Sequence, residues 1–293
     1  MLALPLARRL REYYELCKPR VVMLILFTVA VGMLLAVPGL PPLDKFLFGL
    51  GGIALQAAAA AAINQLIDRR IDARMARTCG RPLVTGRLTV RESLSFAALL
   101  GVFGFTLLYA FVNPLTAWLT MATLVGYAGV YTMYLKRATP QNIVIGGAAG
   151  AFPPVLGWTA ITGHLAPQPL LLCLIIFAWT PPHFWALAIE RHKEYAAAEV
   201  PMLPVTHGLD FTRTQVLLYA LLLLALSVLP FAIGMSGLPY LLGALLLGAV
   251  FVGYALRLKW RPRPGLAMRT FGYSIVYLTG LFGLLLVDHY LRK

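Results

Sequence analysis

Apolar runs of near-constant length recur from one end of the chain to the other, and polar residues collect between them. Nine runs can be drawn, roughly 19–38, 46–66, 93–112, 114–134, 141–161, 168–189, 212–234, 238–256 and 268–287. Each approaches the ~20 residues that carry an α-helix across a bilayer. A helix satisfies its own backbone polar groups, which lipid cannot do. The pattern therefore predicts an all-α, polytopic membrane protein with nine transmembrane helices. Two spans carry proline pairs, Pro153-Pro154 and Pro181-Pro182, and each pair is expected to break its helix by removing backbone donors.

Composition agrees. The chain is 60% hydrophobic and 12% charged, against about 45–50% and about 25% in soluble domains. A water-soluble enzyme, a disordered chain and a coiled coil are excluded. The net charge of +14 would suggest nucleic acid in a soluble protein. Here the basic residues alternate by loop: 22 of the 25 Lys and Arg fall on one side, leaving Lys45, Arg292 and Lys293 on the other. Basic loops stay in the cytoplasm. The expected location is the bacterial plasma membrane, with the N-terminus cytoplasmic, the C-terminus outside and no nucleic-acid partner.

The start, MLALPLARRLREYY, places an apolar stretch before the basic residues, the reverse of a cleaved signal peptide. The first span is expected to remain as an anchor. Cys17, Cys79 and Cys173 are too scattered for a disulfide framework or a metal knot. The long cytoplasmic loops, 67–92 and 190–211, follow the second and sixth spans. The four spans between them suggest a four-helix unit repeated in parallel, with a ninth span added to a single domain covering 1–293.

The second span ends with Asn64, Asp68 and Asp72 at four-residue intervals, which stacks them on one helical face. Two carboxylates so placed repel unless a cation lies between them, and Mg²⁺ is commonly held by one or two carboxylates together with substrate phosphates. The alternative is simple pairing of both acids with neighbouring arginines. Arg77 and Arg81 follow, again four apart, and guanidinium forks match phosphate oxygens. Lys136, Arg137, Lys18 and Arg20 can add charge at the same membrane face. At the end of the sixth span, His183, Glu190 and Glu194 are spaced for one face. The glutamates take the relative place of Asp68 and Asp72 in the second unit and form a second candidate metal pair. An imidazole there suits a metal or haem ligand or a base.

The run Asn64-x₃-Asp68-x₃-Asp72 with its basic loop resembles the UbiA-type intramembrane prenyltransferases. Further stretches resemble the branch that farnesylates protohaem IX: Arg77-Thr78 with Arg81-Pro82-Leu83, Tyr134-Leu135-Lys136-Arg137, Pro181-Pro182-His183-Phe184-Trp185-Ala186-Leu187-Ala188, and Val200-Pro201-Met202-Leu203-Pro204. The resemblance covers about residues 15–290. It implies a helical bundle around a central cavity open near the cytoplasmic face, capped by loops 67–92 and 190–211. It implies transfer of the farnesyl group of farnesyl diphosphate to a vinyl group of haem B, giving haem O and diphosphate, with Mg²⁺ as cofactor. Asn64, Asp68, Asp72 and His183 would be catalytic, and Arg77, Arg81, Lys136 and Arg137 would bind diphosphate. Asp68, Asp72, Glu190 and Glu194 would hold metal, while His183 and Trp185 would contact haem. Tyr131, Tyr134, Phe184 or Trp185 would shield an allylic cation. A haem A-forming oxygenase is a partner by pathway logic. One departure stands out: most relatives carry a second aspartate-rich motif where this chain has His183, Glu190 and Glu194. The competing readings are a quinone-precursor or chlorophyllide prenyltransferase and a secondary transporter.

Overall fold

The computed structural model describes residues 6–292, apart from the side chain of Arg137, and every regular element among them is helical. The apolar start at residues 1–5 and Lys293 lie outside the described residues. α1 (Leu6–Leu16) exposes Leu6, Leu10 and Tyr14. It buries Glu12, which accepts from Arg87 at 2.8 Å. The chain then bends by 55° into α2 (Pro19–Leu35). Lys18 forms the hinge in the left-handed region, at φ 49°. Pro19 opens α2 in the helix's first turn, where a missing N–H leaves no bond unmade.

α3 (Leu43–Asp72) and α4 (Val90–Phe111) follow. A capping box starts α4: Thr89 Oγ1 accepts from the Glu92 amide, and the Glu92 carboxylate accepts from the Thr89 amide at 2.9 Å, satisfying two otherwise orphaned donors. α5 (Pro114–Val125) runs into a π-helical stretch at Gly126–Leu135 and a final turn, α6 (Lys136–Ala138). α7 (Asn142–Ala151) and α8 (Pro153–Thr162) come next, then α9 (Pro167–Glu190). Two short helices, α10 (His192–Ala197) and α11 (Leu203–Thr206), precede α12 (Gly208–Ala232), α13 (Leu238–Trp260) and α14 (Leu266–Leu291).

Among the described residues, seven helical spans are long and apolar enough to cross a membrane, or eight if α1 and α2 form one bent span. The expected span 114–134 is not among the seven, because its regular α-geometry stops at Val125. The chain is an all-α integral membrane protein.

The two proline pairs behave differently. Pro153-Pro154 interrupts the helix at Phe152 and restarts it as α8. Pro181-Pro182 does not break α9, which runs through to Glu190, correcting the expectation of an unwound segment. Prolines remain inside membrane helices when neighbouring groups take up the freed carbonyls. α9 is the central helix: 61% of its apolar window is buried, against 17% for α4. It packs on α7, α8, α12 and α14.

α2 and α8 meet at backbone distance. A Cβ on Gly157 would overlap the carbonyl oxygen of Val29 and lie 2.9 Å from its carbon, so only glycine allows this crossing. The larger core surrounds α9, α12, α13 and α14, with Trp185, Tyr240, Phe251, Tyr277 and Phe282 fully buried. Two of its buried phenols are paired: Tyr240 donates to the Ser227 carbonyl at 2.8 Å, and the Ser227 hydroxyl meets that of Tyr277 at 2.5 Å.

Candidate active site

The last two turns of α3 carry polar side chains into the protein interior. Asn64, Asp68 and Asp72 are all buried, Asp68 to 2% exposure. The parallel π-helical stretch supplies their partners at matching levels. Asn64 Nδ2 donates to Thr132 Oγ1 at 3.1 Å, and one turn on, Lys136 Nζ donates to Asp68 Oδ2 at 2.6 Å. Thr132 in turn donates to the carbonyl of Tyr127 at 2.8 Å, five residues back, a spacing suited to π-geometry. Lys18, carried in by the α1–α2 hinge, donates to Asn64 Oδ1. Asn64 Nδ2 also donates to Asp68 Oδ2 at 3.0 Å. Arg81, from the loop after α3, reaches Asp72 Oδ2 at 2.5 Å.

These groups line a cavity of about 130 Å³. Arg77 lines it beside Tyr195, which comes from the loop after α9. Burial pushes the Tyr195 phenol above its usual pKa, against the opposing pull of Arg77. The rest of the wall is aromatic or apolar and includes Tyr127, Tyr131, Phe184, Ile143 and Met202. Tyr127 and Tyr131 stack with centroids 5.5 Å apart. The cavity thus has an ionic end and an apolar wall, a combination that suits an amphiphile with an anionic head.

The donor set fits one divalent cation. Asp68 Oδ1 is buried with no donor, and an orphaned buried carboxylate oxygen is costly without a cation. Asp72 stands one helical turn away on the same face. Among the described residues no three His, Cys, Asp or Glu side chains converge. A hard cation here would therefore complete its shell with substrate oxygens and water, as Mg²⁺ commonly does. The amide oxygen of Asn64 is engaged by Lys18, so Asn64 positions Asp68.

Other expected residues lie elsewhere. α9 ends at Glu190, and Arg191 leaves helical geometry at φ −102°, ψ 17°, so Glu194 does not continue the face that His183 and Glu190 share. Glu194 accepts from Arg191 at 2.5 Å. Glu190 opens into a separate cavity of about 390 Å³ with His192, Arg213, Arg263, Ile189 and Ala267. The second acidic pair thus does not face the first. His183 is buried between Trp179 and Phe271, at centroid distances of 4.2 and 4.4 Å, and its Nδ1 meets Ser274 Oγ at 2.6 Å. Trp185 is fully buried edge-on to Tyr219, at 5.4 Å. Neither lines the ionic cavity. Tyr134 is 68% exposed. Arg20 is exposed as well, and the Arg137 side chain lies outside the described residues. The sequence reading missed Tyr127, Thr132 and Tyr195. Tyr127 and Tyr131 at i, i+4 were the one available signal.

A protoheme IX farnesyltransferase of Shewanella denitrificans is 60% identical over 281 residues, covering 96% of this chain and 93% of the relative. One from Legionella pneumophila (strain Paris) is 62% identical over 280 residues, covering 96% and 95%. Among solved structures, one described as digeranylgeranylglyceryl phosphate synthase superposes with TM-score 0.80 at 19% identity, over 97% of this chain and 99% of that one. A UbiA homolog from Archaeoglobus fulgidus bound to DMAPP and Mg²⁺ gives 0.62 at 18% identity, over 94% and 99%. The sequence profile of the UbiA prenyltransferase family matches residues 25–282, and the chain belongs to that family.

Proposed function

We propose that this protein transfers the farnesyl group of farnesyl diphosphate to a vinyl carbon of haem B, giving haem O and diphosphate. The observation that carries the prenyl-transfer part is the orphaned Asp68 Oδ1 beside Asp72, ringed by Lys18, Lys136, Arg81 and Arg77 at one end of an aromatic-walled cavity. The choice of haem as acceptor is supported by the names of relatives about 60% identical over nearly the whole chain. It does not rest on His183 or Trp185, whose side chains are packed between helices.

Asp68 and Asp72 would hold Mg²⁺, which when bound supplies Lewis-acid neutralisation of the diphosphate. Lys136, Arg81, Arg77 and Lys18 bind the phosphate oxygens and stabilise the charge that develops as the C1–O bond breaks. The faces of Tyr127 and Tyr131 shield the cation-like C1, and the buried walls keep water from it. The vinyl π electrons form the new bond to C1. Water adds to the resulting cation beside the porphyrin and loses a proton, leaving a hydroxyl. The loops after α3 and α9 face the cytoplasm of a bacterial cell, the C-terminus lies outside, and a haem A-forming oxygenase is the consumer of the product.

Purified protein incubated with haem B, farnesyl diphosphate and Mg²⁺ should yield a haem heavier by one farnesyl and one hydroxyl group. Unchanged haem with active protein would overturn the acceptor. Farnesyl transfer to a different acceptor, with release of diphosphate, would leave only prenyl transfer standing. A cysteine at the exposed Gly80 or Ala196, in a background lacking Cys17, Cys79 and Cys173, should label only from the cytoplasmic side.

A further inference from the structure

Gly146, on the face of α7 toward the π-helical stretch, has no counterpart in the ionic chemistry of the cavity, yet it touches the cavity's wall. A Cβ built there would collide with Cδ2 and Cε2 of Tyr131 and lie 2.8 Å from Cγ. The Tyr131 ring therefore rests flat on the space where a side chain would be. Its other constraints are firm. Tyr127 stacks on it with an interplanar angle of 30°. The backbone around it is held in π-geometry, with Thr132 bonded to the Tyr127 carbonyl and to Asn64. π-Helical turns re-aim side chains and are frequent at functional sites. The ring cannot retreat toward α7 any further, so any atom added at Gly146 drives it into the cavity.

The register fixes what the ring faces. Residue 132 is level with Asn64, and residue 136 is level with Asp68. Tyr131 thus stands about one turn deeper than the ionic end, where the first carbons of a chain attached to the head group must lie.

We propose that Gly146 is a positioning residue: by carrying no side chain it seats Tyr131 and sets the width of the cavity at the allylic end of a prenyl diphosphate. This rests on reading the cavity as the prenyl diphosphate site. A methyl group is comparable to the ~30 Å³ share of one water molecule, a large part of a cavity of about 130 Å³. Gly146 touches neither the carboxylates nor the cations, so its effect is confined to the hydrocarbon.

The test measures binding of unreactive thiolodiphosphate analogues and of inorganic diphosphate, each with Mg²⁺, to the full-length protein. Gly146→Ala should weaken the farnesyl analogue about tenfold or more. It should leave inorganic diphosphate within about twofold. The dimethylallyl analogue should lose the same factor, because the clash lies at the head of the chain. The double variant Gly146→Ala/Tyr131→Leu should recover the farnesyl analogue to within about threefold, the mark of two residues coupled through contact. Tyr131→Trp, which enlarges the ring without altering the α7 sequence, should reproduce the loss and stands in if Gly146→Ala does not purify. Unchanged analogue binding in Gly146→Ala, or an equal loss for inorganic diphosphate, overturns the proposal. Loss confined to the farnesyl analogue overturns the placement at the allylic end. Wild-type protein that binds neither diphosphate nor analogues refutes the underlying reading of the cavity, and the proposal with it.

Discussion

α3 and α9 each end beside two acids four residues apart, followed by a long connecting segment. At the end of α3 the helix continues to Asp72, so the four-residue interval stacks Asn64, Asp68 and Asp72 toward the interior. Cations from three separate segments converge on them. At the end of α9 the helix stops between the acids. Glu194 pairs with Arg191 three residues before it, and Glu190 lines a separate cavity. The same charges at the same spacing thus form a buried cluster at one helix end and a more exposed pair at the other. What separates them is one turn of helix: where it persists, two carboxylates remain neighbours with no water to screen them, and a cation becomes the remedy.

The contrast is open to a direct test. The largest effect belongs to Asp68→Asn and Asp72→Asn, which should lower turnover by at least about 10²–10³-fold while the protein still inserts and purifies. Chelation of divalent metal should do the same. Activity near wild type in Asp68→Asn would reduce the α3 cluster to interface salt bridges. Lys136→Met removes one charge-assisted bond to the same carboxylate, and kcat/KM for farnesyl diphosphate should drop about 10- to 100-fold. His183→Ala sits on α9 itself. It loses a hydrogen bond to Ser274 and two ring contacts, so thermal unfolding should shift by about 2 kcal/mol or more. The absorption spectrum of added haem B should match that of the wild type; a displaced spectrum would return His183 to the iron. The smallest effect is expected for Glu190→Gln and Glu194→Gln, whose turnover should stay within about fivefold of wild type. A loss matching that of Asp68→Asn would erase the difference between the two ends.

The α3 cluster was legible because a helix imposes a fixed repeat, and three polar residues four apart in an apolar run have one face available. Arg77 and Arg81 were legible by their proximity to it. The α9 cluster was misread for the complementary reason. Whether His183 and Trp185 face a cavity or a neighbouring helix is decided by Ser274, Phe271 and Tyr219, residues distant in sequence that their own spacing does not reveal. The proline pairs show the same limit. One interrupts its helix and the other does not, because the outcome depends on what surrounds the freed carbonyls. The π-helical stretch left no trace in the apolar pattern, although it sets the register that matches residue 132 to Asn64 and residue 136 to Asp68. Lys18 was counted only as one of several basic residues at the membrane face, since its reach into the interior depends on a left-handed hinge.

The ion pairs of Lys136 with Asp68 and Arg81 with Asp72 have a consequence for the reaction cycle. On the function proposed above, two of the four cations that would meet phosphate, Lys136 and Arg81, are neutralised by carboxylates in the resting protein. Binding is then an exchange of counter-ions, in which the incoming head group and its metal displace bonds made within the protein. Departure of diphosphate runs the exchange backward. The carboxylates compete for the same lysine and arginine and help to expel a product that would otherwise be held by four positive charges. Removing an acid should therefore slow release as well as bond cleavage, and burst kinetics in a partly active variant would separate the two.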